Sequence, residues 1–161
     1  ARTDMAPSLA FDISDLDFEH PQYDAAAVEK VNPHRHPMRM LDAVVVVRQD
    51  CVECVAYKDV GAEEFWVEGH IPGRPLFPGV LMLEAAAQLA SFQTLVRSPG
   101  FSFLGFVGAE GVKFRGTVVP GDRLVLLSQQ LEFKPKRCVS YTQGLVDGKL
   151  VFEAKITGMP L

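Results

Sequence analysis

The chain has 161 residues, 22% of them charged and 48% hydrophobic, with a formal net charge of −4. That length suits one domain with a real core. The charge gives no reason to expect nucleic acid as a partner, and no apolar run reaches membrane-spanning length without interruption. Residues 1–23 carry Asp4, Asp12, Asp15, Asp17 and Glu19 against Arg2 alone. This acidic content suits neither a secretory signal nor a transit peptide. The segment reads as an acidic, partly disordered leader, with Leu9, Phe11, Ile13, Leu16 and Phe18 available to dock on the body, and 24–161 reads as a single domain.

Asp24 opens a short helix over DAAAVEKV that Asn32-Pro33 stops. His34 and His36 follow in alternation, as metal ligands on a strand would, but no third ligand accompanies them. Residues 39–59 are rich in β-branched residues and form two strands turning near Gln49-Asp50. Cys51 and Cys54 fall in this strand-like stretch, where i and i+3 point to opposite faces. With Cys138 they make no disulfide framework and no zinc spacing, so free thiols in a reducing, cytoplasmic setting are expected. Trp66, the only tryptophan, has packing as its expected role.

The organising stretch is 69–97, GHIPGRPLFPGVLMLEAAAQLASFQTLVR. Pro72, Pro75 and Pro78 with Gly73 make a stiff loop, and Pro78 or Gly79 starts a helix that runs without a proline until Pro99. Its Val, Leu, Met, Ala and Phe residues occupy nearly every side, so the rest of the chain must wrap it. Glu84, Gln88 and Ser91, at i, i+4 and i+7, form one polar line. A carboxyl on a buried helix is expected to hold its proton more tightly, and Gln88 is spaced to bond it. His70 lies at the loop feeding the same helix. A histidine base, a carboxylic acid and free helix-start amides, Gly79 first, are the parts for acid–base chemistry at a carbonyl compound.

After a turn at Ser98-Pro99-Gly100, strands are expected over 101–116, 122–134, 137–146 and 149–158, the last two joined by the hairpin signal Asp147-Gly148. One buried helix with strands before and after it is an α+β pattern, a sheet around a helix.

Four segments resemble the 3-hydroxyacyl-[acyl-carrier-protein] dehydratases of type II fatty-acid synthesis: PHRHPMRMLD, His70 through Gln88, VKFRGTVVPGDRL, and GLVDGKLVFEAKI. The resemblance runs from about 31 to 158 and leaves out only the leader; Ile71 stands where the family usually has Phe. It implies the hot-dog fold, an antiparallel sheet wrapped around one long buried helix. It also implies loss of water from a (3R)-hydroxyacyl thioester to the trans-2-enoyl product, by syn or anti elimination, without a cofactor. In that scheme His70 is the base at C2 and Glu84 the acid at the 3-hydroxyl, although sequence leaves open which of them moves which proton. Gly79, with Val80, would hold the thioester carbonyl and Gln88 would orient Glu84.

The resemblance further implies catalytic side chains drawn from two subunits of a homodimer, alone or as a trimer of dimers. Glu rather than Asp at position 84 matches the branch that only dehydrates. Gly105 falls at the usual aromatic gate, flanked by Phe103 and Phe106. An acidic acyl carrier protein calls for a basic patch, with Arg74, Lys113, Arg115, Lys134, Lys136 and Arg137 as candidates. Two alternatives remain: a hot-dog acyl-thioesterase, and a non-catalytic acyl-thioester-binding or assembly protein.

Overall fold

The computed structural model describes residues 7–161. The expectation for the first six residues of the leader therefore lies outside the described residues. Elements follow in the order α1 (Ala25–Val31), β1 (Ala43–Arg48), β2 (Glu53–Asp59), α2 (Gly79–Arg97), β3 (Leu104–Phe114), β4 (Arg123–Lys134), β5 (Arg137–Val146) and β6 (Lys149–Pro160). The Asp24 side chain accepts from the Ala27 amide and caps α1. The β1–β2 turn holds Gln49, Asp50 and Cys51 at positive φ. Cys51 thus sits in the turn and not in a strand, a correction to the strand reading of the Cys pair. Asp147 and Gly148, at φ 50° and 75°, close the β5–β6 hairpin as their residue types demand.

The six strands form one sheet in the order β1-β2-β4-β5-β6-β3, with every neighbouring pair antiparallel. The strand after α2 therefore crosses to the far edge and pairs with the last strand, Leu104 opposite Pro160 and Phe114 opposite Phe152. Strand alternation sends neighbouring residues to opposite faces. Val44, Cys54, Ala56, Leu124, Leu126, Phe152, Ala154 and Ile156 face α2 and share a core with Met82, Ala85, Ala86, Leu89 and Phe92. α2 is apolar and long enough to cross a membrane by composition, but 61% of that window is buried inside the described chain. This is the hot-dog arrangement expected from the sequence, a sheet wrapped on a central helix.

The other sheet face carries a second cluster, Val45, Val55, Leu127 and Leu145, covered by Phe11, Ile13, Leu16 and Phe18 of the leader. Gln143 ties this strap down, accepting from the Ala10 amide at 2.8 Å and donating to the Ser8 carbonyl at 3.0 Å. Arg48 adds an ion pair to Asp15 and a bond to the Asp12 carbonyl. The strap then passes the edge of β1, where Tyr23 bridges Val44 and its ring meets Phe92 edge-on at 4.9 Å.

Candidate active site

The loop from Trp66 to Pro78 holds His70 by its own backbone. His70 N–H donates to Trp66 O and Leu76 N–H to His70 O, both at 2.8 Å, and Ile71 and Arg74 bond each other across Gly73. Trp66 is buried and packs edge-on against Phe77 at 5.3 Å, the packing role expected of it. Phe77 N–H in turn bonds Val118 O, which fastens the loop to the segment after β3. His70 Nδ1 lies 2.7 Å from the Leu76 carbonyl. A carbonyl can only accept, so Nδ1 carries the hydrogen and Nε2 is left with a free lone pair.

His70 opens into a cleft of about 390 Å³ shared with Leu76, Gly79, Val80, Phe114 and Thr117. At the start of α2 the Pro78 carbonyl accepts from Leu81 and Met82, so the helical ladder begins beyond the Gly79 and Val80 amides. A Cβ at Gly79 would lie 2.9 Å from the Phe114 ring, so a larger residue there must displace that ring.

Glu84 sits in a second cleft, half-buried with His34, Gln88, Ser91, Phe103 and Phe106. The polar line read along α2 therefore does line one space. Gln88, 1% exposed, donates through Nε2 to Glu84 Oε1 at 2.8 Å and Met38 O at 2.7 Å, and accepts from the Met40 amide at 2.8 Å. Asn32 bonds the Gln88 carbonyl at 2.9 Å and receives Ser91 Oγ at 3.0 Å, clamping the 32–40 segment onto the helix. That clamp brings His34 Nε2 within 3.7 Å of Glu84 Oε1. Burial pushes the His34 pKa below the usual imidazole range, with Glu84 opposing and Arg35 adding to the effect.

Within one chain, His70 and Glu84 thus face different clefts. Gly79 and Glu84 are five residues apart on α2, which at 3.6 residues per turn sets them about 140° apart around the axis. Around the His70 cleft and along β3 lies an apolar surface: Val80 is 71% exposed, Val107 63%, Phe114 52% and Phe106 50%. β3 pairs with β6 alone, so its outer edge is unpaired among the described residues.

The remaining candidates are spread out. His36 lines a different cleft from His34, with Arg39, Lys58 and Glu64, so the two histidines do not converge. Gly105 pairs with Met159, while Phe103 and Phe106 on either side line the Glu84 cleft. Of the basic residues, Lys134 and Arg137 lean on Glu132, at 3.1 and 3.9 Å, and Arg115 on Glu153 at 3.0 Å. The cysteines are free, and burial pushes the Cys54 and Cys138 thiols up, away from reactivity. His34 is the residue to which the sequence assigns no role: the metal reading lacks a third ligand, and nothing local pairs it with a carboxyl fifty positions away.

Comparison with known proteins gives a consistent result. Residues 32–155 match the family model of the FabA-like domain. A protein of Streptococcus gordonii named 3-hydroxyacyl-[acyl-carrier-protein] dehydratase FabZ is 37% identical over 135 residues, 83% of this chain and 95% of that one. A protein of the same name from Lawsonia intracellularis is 40% identical over 130 residues, 78% of this chain and 84% of that one. Among solved structures, the dehydratase heterocomplex ApeI:P from Xenorhabdus doucetiae superimposes with a TM-score of 0.72 at 15% identity, over 83% of this chain and 90% of that chain. At that identity the likeness speaks for the fold alone.

Proposed function

The chain belongs to the 3-hydroxyacyl-[acyl-carrier-protein] dehydratase family, and from that premise we propose that it dehydrates (3R)-hydroxyacyl thioesters, delivered on an acyl carrier protein, to trans-2-enoyl thioesters. The pathway served is fatty-acid synthesis, in the cytoplasm. Family membership sets the thioesterase and non-catalytic alternatives aside. The observation that carries the mechanism is the 2.7 Å contact between His70 Nδ1 and the Leu76 carbonyl. It fixes the tautomer that leaves Nε2 basic, beside the helix-start amides.

In this mechanism the thioester oxygen accepts from the Gly79 N–H, with Val80 as a second donor. Charge that develops on that oxygen as C2 loses its proton is then stabilised by backbone dipoles that need not reorganise. His70 Nε2 takes the C2 proton. Glu84, held at Oε1 by Gln88, gives its proton to the 3-hydroxyl, which leaves as water while the C2–C3 double bond forms. Each turnover ends with a protonated His70 and an ionised Glu84, and exchange with solvent restores both. A positioned acid or base of this kind contributes about 10²- to 10⁴-fold, and His70→Ala or Glu84→Gln should lose turnover by that order.

Because His70 and Glu84 face different clefts of one chain, this chemistry requires a second copy. The apolar surface formed by Val80, Phe106, Val107 and Phe114, beside the free edge of β3, supports a homodimer in which each site takes His70 from one subunit and Glu84 from the other. The trimer of such dimers is a further step of the same kind. Mixing inactive His70→Ala and Glu84→Gln proteins tests the sharing. Statistical subunit exchange makes half the dimers mixed, each with one intact site, so about a quarter of wild-type activity should return. No recovery after verified exchange would overturn the shared site. For the carrier protein, Lys136 and Arg137 on the β4–β5 hairpin, with Arg74 and Lys113, supply the basic surface. Lys136→Glu with Arg137→Glu should weaken carrier-linked substrate and spare a small thioester analogue, and equal loss on both would refute docking there.

A further inference from the structure

The two carboxyl oxygens of Glu84 have different surroundings. Oε1 receives the Gln88 carboxamide at 2.8 Å and faces His34 Nε2 at 3.7 Å, whereas no protein donor reaches Oε2 among the described residues. His34 is set there by its flanks: Asn32 bonds the Gln88 carbonyl, Met38 O and Met40 N bond the Gln88 side chain, and Arg35 bonds back to the Asn32 and His34 carbonyls. His34 Nδ1 is buried with no partner among the described residues. A hydrogen on Nδ1 would be a stranded donor, so the favoured tautomer puts the single ring N–H on Nε2, toward Glu84. The surroundings keep the ring neutral near pH 7: burial outweighs Glu84, and Arg35 opposes protonation. Phe103, Leu104 and Phe106 on the β3 side and Ile156 and Gly158 of β6 bring no charge to this cleft.

We propose that His34 is a positioning residue for the dehydration: with Gln88 it engages Oε1 of Glu84, so that Oε2 is the oxygen that carries and delivers the proton. This rests on the reading of Glu84 as the acid. Gln88 already donates to Oε1. Once substrate draws His34 in as well, an oxygen accepting both N–H groups is the carbonyl-like oxygen of a carboxylic acid, and the hydroxyl is then forced onto the other. Without His34 the carboxyl can turn over, and the acid proton points at the wrong partner in part of the population. The 3.7 Å approach is longer than a hydrogen bond, as catalytic contacts commonly are before substrate tightens them.

The test uses the full chain and a 3-hydroxybutyryl thioester of the acyl carrier protein, with kcat followed across pH. His34→Phe should lower kcat about tenfold with KM within about twofold, the signature of lost orientation and not lost binding. It should also move the alkaline limb of the profile to higher pH, because removing an N–H donor disfavours the carboxylate. His34→Gln, which keeps a donor of similar reach, should recover most of both effects. His34→Asn, too short to reach, should not, and it replaces the Phe variant if that one fails to fold.

Wild-type kcat and limbs in His34→Phe would overturn the proposal. So would equal loss in the Phe and Gln variants with unmoved limbs, which marks a merely structural role. Glu84→Gln separates the two levels. If it keeps full turnover, the acid assignment itself fails and His34 falls with it. If it is inactive while His34→Phe is silent, only the positioning role is lost.

Discussion

Gln88 is where stability and activity are most tightly joined, and Gln88→Met is the informative change because it keeps the volume and removes the amide. The substitution strands the Met40 N–H, whose residue is fully buried and whose partner is Gln88 Oε1 at 2.8 Å. An orphaned buried backbone donor costs about 1–3 kcal/mol. The Met38 carbonyl also loses its partner, but Met38 is 40% exposed, so water can replace the amide at little cost. The sum is about 2 kcal/mol, which for a chain of this size lowers Tm by roughly 4–8 °C. Gln88→Ala adds a cavity and should cost about 3–4 kcal/mol. Thermal melts and urea titrations at one protein concentration would measure this, since assembly shifts apparent stability. Turnover should fall in the Met variant as well, by about tenfold, because Glu84 Oε1 loses its donor. A Gln88→Met protein within about 0.5 kcal/mol of wild type would refute the claim that this side chain closes the helix against the 32–40 segment.

Three further changes probe other parts of the molecule. Gly79→Ala sets a Cβ 2.9 Å from the Phe114 ring; because that ring is half exposed it can swing, so Tm should stay within a few degrees while activity drops, and adding Phe114→Leu should restore part of it. Deleting residues 1–19 uncovers Val45, Val55, Leu127 and Leu145, and the truncated protein should bind a hydrophobic dye and scatter light as concentration rises; a clean, unchanged protein would refute the cover. The His34 pKa is depressed in the folded state from the ordinary value of 6.5. As pH falls below that value the unfolded chain takes up the proton first, so His34 subtracts stability there and contributes nothing above it. His34→Phe should therefore lose less stability than wild type between pH 7.5 and 5.5, and identical losses by denaturant titration would count against the burial assigned to this ring.

Several of these residues have roles legible in the sequence alone. Pro78 and Pro99 bound α2 because proline cannot donate into a helical ladder, and the observed limits, Gly79 and Arg97, fall just inside them. Asp24 as a cap and Asp147-Gly148 as a hairpin are equally local decisions, made by side chains bonding or freeing their own backbone. The polar line Glu84, Gln88 and Ser91 follows from helical period alone, and it does share one cleft. The turn expected near Gln49-Asp50 stands there but takes in Cys51 as well, because where a turn ends depends on the register of the strands it joins and not on composition.

The helix, its ends, the strands and the residue types of the acid–base set are all legible in local stretches of the chain, since each depends on interactions a few positions long. Long-range packing sets β3 at the far edge beside β6, lays the leader over the outer face of the sheet, and stands His34 against Glu84. The same packing turns His70 and Glu84 into separate clefts. Those outcomes come from which distant surfaces bury one another, a competition settled over the whole chain at once and written in no single segment.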